Sequence, residues 1–351
     1  MNISKSSRTT LRRVLFAFIP AVLVLALGAF LLDGYVIHRL AHPPKTKLYA
    51  TPYDFQIILQ KPMWTEEKWK NADNTSAVGW FLIQQKSDKN QQRVTAPVII
   101  LSHGYGENRS ELLNLSFELW KAGFHVLVYD LRGHGESPVP WSGLGTVEAD
   151  DVVAAYNFVK GLKDEKGQDL IDGRIGLYGV DLGGLASLAA SEKIQAVKAI
   201  AVDSPCLDVP NYINYRMKTY IGGGGEWANR LIDSEVTNRV TDLVVRGYLK
   251  KESGGSAIEA VRKPTGKRLL FLTAKDGGML QKTTKELYSK SADQKRLLEL
   301  DKTRISRLYD EEASQYDKEV VDFFADAIPT ETAEKDKKDK DKDKDKGKKT
   351  R

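Results

Sequence analysis

Apolar residues in this chain fall into two kinds of run separated by helical patterning. From Val14 to Leu32, VLFAFIPAVLVLALGAFLL, 19 consecutive residues carry no charge. A bilayer core takes about 20 residues of helix to cross, so this run predicts one transmembrane helix. Further along, short continuous apolar stretches end in polar or glycine-rich turns: Pro97–Leu101, His125–Tyr129, the run through Ile175 and Val180, Val197–Val202, Arg268–Thr273 and, last, Leu297–Leu300. Unbroken rather than alternating hydrophobicity is the mark of strands buried on both faces. Phe55–Leu59 and Val78–Gln84, with a polar turn around Asn71–Asn74 between them, are expected to pair as a hairpin.

Between these strands the period changes to that of helices. Arg109–Ala122 is one. Another opens at Thr146, with Glu148, Asp150 and Asp151 in its first turn and Val152, Tyr156, Val159 and Leu162 on one face. The last carries Tyr316, Val320, Phe323 and Phe324. Alternating strands and helices predict an α/β fold built on a doubly wound, mostly parallel sheet, preceded by the single N-terminal span.

The same patterning divides the chain. Residues 1–13 are a basic N-terminus with Lys5, Arg8, Arg12 and Arg13, residues 14–32 the span, 33–53 a linker containing Pro43-Pro44, 54–329 the folded domain and 330–351 a disordered Lys/Asp tail. Within the domain, 207–266 has helical patterning broken at Gly222–Gly225 and Gly254-Gly255, and is expected to form a helical lid at the carboxyl ends of the strands. Basic residues before the span and Asp33 directly after it keep the N-terminus cytoplasmic and carry the domain across, in keeping with a bacterial inner-membrane protein. The small residues at Ala26-Leu27-Gly28 leave a cleaved signal peptide as the alternative.

Charge and composition narrow the function classes. The net charge is +6, but the tail from Glu334 holds nine Lys and one Arg against six acids, or +4, so the rest carries only +2. Without a basic face interleaved with aromatics, nucleic acid is excluded as a partner. A single cysteine, Cys206, forms no intramolecular disulfide, and no metal-ligand or cofactor motif appears.

The chemistry concentrates at RIGLYGVDLGGLASL, Arg174–Leu188, which reads as a strand, a sharp turn and an Ala/Leu-rich helix. Gly179 and Gly183 flank a polar centre, the spacing of a nucleophile elbow, in which small residues let strand and helix approach while the central side chain stands out. That centre is Asp181; by itself it is equally an acidic helix cap. Together with HGYG at 103–106, DLRGHGES at 130–137 and TAKD at 273–276, GVDLGG at 179–184 resembles the α/β-hydrolase superfamily, in particular bacterial lidded hydrolases of the monoacylglycerol-lipase and serine-aminopeptidase type.

That resemblance, which covers Phe55 to Ala327, implies an oxyanion hole from the backbone N–H groups of Tyr105 and Leu182, a nucleophile position at Asp181, and a triad acid at Asp276 with Asp203 in reserve. The chain departs from the family twice. Asp181 stands where a serine is expected, and the five histidines, at 38, 42, 103, 125 and 134, leave none for the loop before the last helix. A hydroxyl nucleophile needs an adjacent base, and both are missing. A cation from that loop, Arg304 or Arg307, is expected to fill the imidazole's place beside Asp181. Two readings follow: a non-hydrolytic binding or scaffolding pseudoenzyme, with a small apolar or ester-like ligand under the lid, or an active hydrolase of esters or alkyl electrophiles that uses Asp181 with a non-histidine base.

Overall fold

The computed structural model describes residues 5–56, 63–85, 93–221, 225–249, 255–306, 308 and 310–330. It opens with one long helix, α1 (Lys5–Ala41), which runs through Pro20 without ending. Every described side chain from Phe16 to Leu32 is exposed, whereas Val36, Ile37, Leu40 and Ala41 are buried in the domain. The stretch expected as a linker therefore starts as the last turns of α1 and belongs to the core. Within α1, Phe16–Ala41 is long and apolar enough to cross a membrane, its most apolar 18 residues having a mean hydropathy of 2.3.

Eight strands form one sheet in the order β1-β2-β4-β3-β5-β6-β7-β8. They are β1 (Met63–Lys70), β2 (Ser76–Ile83), β3 (Ala96–Ser102), β4 (His125–Tyr129), β5 (Ile171–Val180), β6 (Val197–Asp203), β7 (Arg268–Ala274) and β8 (Gln294–Leu300). β1 and β2 pair antiparallel, as do β2 and β4, and every other pairing is parallel. The mostly parallel sheet is thus as the apolar runs foretell.

The first hairpin strand is a correction. Phe55 and Gln56 close a short helix, α2 (Pro52–Gln56), and residues 57–59 lie outside the described residues. Thr51 explains the helix start, because its N–H and hydroxyl both donate to Asp54 Oδ2, at 2.7 and 2.9 Å, with Pro52 at the first helical position. The strand that pairs with β2 is MWTEEKWK, whose charges disguise an edge strand.

Helices cover both faces. α3 (Leu113–Lys121) and α11 (Asp310–Ala327) pack on one, around Phe117, Tyr316 and Phe324. α4 (Glu148–Lys160) and α5 (Leu182–Ser191) pack on the other, around Val152, Leu185 and Ala186. Between β6 and β7 the expected insertion is four helices: α6 (Val209–Tyr220), α7 (Gly225–Ile232), α8 (Glu235–Leu249) and α9 (Ala257–Arg262). α10 (Gly278–Lys290) joins β7 to β8. The tail from 331 onward lies outside the described residues.

Candidate functional site

β5 ends at Val180 and α5 begins at Leu182, so Asp181 alone makes the turn, at φ 52° and ψ −109°. Such a conformation is strained for any residue with a Cβ. Its neighbours allow it by having none: a Cβ on Gly179 would stand 2.2 Å from the Gly183 carbonyl oxygen, and one on Gly183 would stand 2.3 Å from that of Ser102. Strand, helix and the end of β3 are in backbone contact there. The Asp181 N–H donates to the Asp203 carbonyl at 2.9 Å, tying the turn to β6.

The Asp181 side chain is only 3% exposed, and its two oxygens differ sharply. Oδ2 accepts the Tyr105 N–H at 3.2 Å and the Tyr212 hydroxyl at 3.3 Å, and it is ion-paired with the Arg216 guanidinium. Oδ1 is buried without a hydrogen-bond partner. One of the two backbone donors expected to face an oxyanion, the Tyr105 N–H, is thus engaged by the elbow carboxylate itself; the other candidate, Leu182, opens α5 directly after the elbow.

Arg216 reaches the site from α6. It is 14% exposed, its Nε donates to the Tyr212 hydroxyl at 2.8 Å, and its guanidinium lies 4.4 Å above the Tyr105 ring, with Tyr215 at 5.1 Å and Tyr212 at 5.2 Å. Burial pulls the guanidinium pKa down, yet the Asp181 charge and the tyrosine oxygens raise it on balance, so the group is a permanent cation. Burial pushes the Tyr105 phenol up to about 12. Its hydroxyl donates to the Leu40 carbonyl at 2.7 Å, which joins α1 to the site.

The cation expected from the loop after β8 comes instead from the insertion. The backbone N–H of Arg304 is held on Asp203 Oδ2 at 3.0 Å, and its guanidinium turns to Asp317 and to the Glu111 carbonyl, at 2.9 Å for the latter. Both groups of Arg304 are committed away from Asp181, which is why it does not serve there. Arg307 lies outside the described residues. No spacing rule links Arg216 to an elbow 35 positions earlier. The available signal was Tyr212 one helical turn before Arg216, on the same helical face.

The two candidate acids separate as well. Asp203 is fully buried, accepts from the Ser204 hydroxyl at 2.8 Å and the Tyr316 hydroxyl at 2.9 Å, and has its pKa raised by burial. It therefore meets the loop where a histidine was sought. Asp276 sits in the turn after β7 and is exposed.

The motif histidines hold loops. His103 Nε2 accepts the Leu131 N–H at 3.0 Å while Nδ1 faces the Gly104 carbonyl at 2.7 Å, and burial brings its pKa down to about 4. His134 Nδ1 lies 2.8 Å from the Arg132 carbonyl, with a pKa brought down to about 3 by burial. In the same motif, Asp130 accepts the N–H groups of Arg109 and Glu136, both at 2.8 Å, and pairs with the Arg109 guanidinium. Among the described residues no group of three or more His, Cys, Asp or Glu could hold a metal ion.

Open space lies next to Tyr105 rather than under the insertion: neither Asp181 nor any residue of 207–266 lines it. A cleft of about 590 Å³ runs between Tyr105-Gly106-Glu107 and Arg304-Ile305, with Tyr49 on its wall. Glu107, its Oε2 accepting the Gly104 N–H at 2.9 Å, has its pKa pushed up to about 7 by burial.

Comparison with known proteins agrees with this fold. A family model described as the alpha/beta hydrolase family matches residues 99–324. The chain is 25% identical over 292 residues to the uncharacterized protein YfhR of Escherichia coli K12, covering 81% of this chain and 89% of that one. To the uncharacterized protein YqkD of Bacillus subtilis it is 24% identical over 236 residues, covering 65% and 71%. An uncharacterized 31.7 kDa E. coli protein from the traX-finO intergenic region is 34% identical over 106 residues, 30% of this chain, so the chain spans about a third (35%) of that relative's length. Among solved structures, the Pyrococcus furiosus esterase Pf2001 superposes with a TM-score of 0.58 at 18% identity, over 83% of this chain and 99% of that one. An acetyl xylan esterase from Paenibacillus sp. R4 gives 0.52 at 18%, over 85% and 93%. Likeness at such identity is likeness of fold.

Proposed function

The chain belongs to the alpha/beta hydrolase family, and from that premise we propose a membrane-anchored, non-hydrolytic binding protein whose elbow is locked by the insertion acting as a lid. One observation carries the reading: Asp181 Oδ2 is held at once by the Tyr105 N–H, the Tyr212 hydroxyl and Arg216. Acyl transfer needs a nucleophile with an adjacent base and free donors for the developing oxyanion. Here the nucleophile position is a paired carboxylate, one of the two oxyanion donors, the Tyr105 N–H, is taken, and no histidine follows residue 134.

Binding keeps the cleft beside Tyr105. Its walls include Tyr49, Glu107, Glu111 and Arg304, so the ligand class is a small, polar, ester-like molecule rather than a bare hydrocarbon. The anchor is the exposed apolar stretch of α1, which in water would leave a row of large side chains such as Phe16, Leu23 and Leu31 unburied. With the basic N-terminus held in the cytoplasm, the domain lies on the far side. A reporter fused after His42 should behave as exported, and a cytoplasmic signal would reverse this topology.

A second reading has the free Oδ1 in its favour. A carboxylate oxygen with no hydrogen bond is the better nucleophile, and once the buried Oδ1 is uncovered its attack on an epoxide carbon would form a carbon–oxygen ester bond while the ring carbon–oxygen bond opens to an alkoxide that takes a proton from water. Without a base to activate water, that ester persists. Full-length protein should therefore turn over neither short-chain esters nor epoxides above an Asp181→Asn control. Saturable turnover abolished by Asp181→Asn would establish the enzyme instead, and a stable mass adduct on Asp181 would mark a stalled carboxylate.

A further inference from the structure

The insertion that locks the elbow is also the part of the domain that meets α1 where its apolar stretch ends. Asp33, the first residue past that stretch, is buried, and the Thr241 hydroxyl of α8 donates to its Oδ1 at 3.1 Å. A Cβ on Gly34 would stand 4.0 Å from Val244 Cγ1, so α8 crosses α1 within its next turn. α6 packs on α1 as well, and Arg39 interacts with Tyr220 at the end of α6.

Around this junction four large side chains stay in the open: Tyr35 at 57% exposure, Tyr220 at 46%, Ile221 at 43% and Leu243 at 63%. They come from α1, α6 and α8, which meet along the stretch of α1 from Asp33 to Arg39. At about 1.5 Å per residue, Gly34 lies roughly 3 Å and Arg39 roughly 10 Å beyond Leu32 along the helix. The polar layer of each leaflet is about 5–8 Å deep, so Gly34 and Tyr35 fall within it and Arg39, with its partner Tyr220, lies at its outer, aqueous edge. Tyrosines that keep a wet hydroxyl above an apolar ring suit that layer, and Arg39, exposed at the end of α1, can reach phosphate along its aliphatic stem.

We propose that this rim, formed by Tyr35, Tyr220–Ile221 and Leu243, is a membrane-contacting surface that seats α6 and α8 in the headgroup layer of the bilayer crossed by α1. The proposal rests on the anchored reading given above. The bilayer is the occupant because the rim is continuous with the exposed apolar surface of α1 itself. It has a consequence for the site, since α6 carries Tyr212 and Arg216 between its ends and Tyr105 is tied to Leu40. Lipid contact holds the helix that holds Asp181.

The test uses the full chain in phosphatidylcholine nanodiscs with single cysteines at Ile221→Cys and Leu243→Cys, each carrying an environment-sensitive fluorophore. Cys206 is buried and stays unlabelled in the folded protein. Lys318→Cys on α11 is the reference, and Leu23→Cys reports the span. Nitroxide placed on the lipid headgroup should quench the labels at 221 and 243 at least about threefold more than the reference. If Leu23→Cys is quenched by an acyl-chain nitroxide while 221 and 243 match Lys318→Cys, the rim proposal fails and the anchor stands. If Leu23→Cys is not quenched either, the anchored reading itself fails.

Discussion

Arg216 and Asp181 form the pair on which the closed site depends, and each has little reason to be where it is without the other. Replacing Arg216 by Ala leaves a nearly buried carboxylate with an N–H and a hydroxyl as its only donors. Breaking a buried pair in this way costs about 3–5 kcal/mol. At roughly 2–4 °C per kcal/mol, a thermal melt should fall by about 6–20 °C. Arg216→Lys retains the charge but loses the Nε bond to Tyr212 and the planar contact with three rings, so its melt should lie between the two. In Asp181→Asn/Arg216→Met neither charge is stranded, and the double variant should melt above Arg216→Ala alone. A double variant no better than the single one would show that the pairing is incidental. The need for a cation was legible from an unpaired Asp at an elbow, but its source was not, because a helix in an insertion is brought over the site by packing that no local pattern records.

The same limit recurs at the level of elements, where what could be read was what is buried on both faces. β4 matches its apolar run end to end, and β3, β6 and β7 extend theirs by a residue or so. β1 was hidden because an edge strand carries charges on its open side, and β8 starts earlier than its leucines because its exposed positions are polar. The continuation of α1 into the core was masked by Asp33 and Arg39, whose charges imitate the end of a span. The glycine turn itself was legible in its spacing, because the contact between Gly179 and Gly183 is local, whereas the close approach of Gly183 to Ser102 at the end of β3 was not. Gly179→Ala and Gly183→Ala each place a Cβ within 2.3 Å of a backbone carbonyl, which cannot yield as a flexible side chain would. Both should abolish cooperative folding as seen by circular dichroism or size exclusion. Gly184→Ala meets backbone only at 3.1 Å and should remain folded with a loss of about 1–3 kcal/mol. Equal behaviour of all three would mean that the tight strand–helix contact is absent.

For the molecule as a whole, buried titrating groups set how stability follows pH, and the histidines and Glu107 pull in opposite directions. His134 is wholly buried, with its pKa brought from the ordinary 6.5 down to about 3 by burial. Between those values the unfolded chain binds a proton that the folded chain refuses, so stability rises with pH across the window. The neutral ring's contribution is present above pH 6.5 and is lost as pH falls toward 3, at about 1.4 kcal/mol per pH unit. Glu107 has the reverse sign, since its pKa is raised by burial from 4.5 to about 7 and its contribution is full below 4.5 and lost as pH rises through 7. Several buried groups titrate together, so the wild-type curve is a sum, but differences between variants isolate one group. Asn can imitate the Nδ1–H that faces the Arg132 carbonyl, which makes His134→Asn the conservative choice. In urea unfolding at pH 8, 7, 6 and 5, the stability advantage of the wild type over His134→Asn should be constant above pH 7 and shrink by about 1 kcal/mol per unit below 6.5. Against Glu107→Gln the advantage should instead shrink as pH rises from 5 to 8. Parallel curves for His134→Asn would mean that the ring takes up its proton in the folded protein at the same pH as in the unfolded chain, and the imidazolium would then need a partner at Nε2, where none stands.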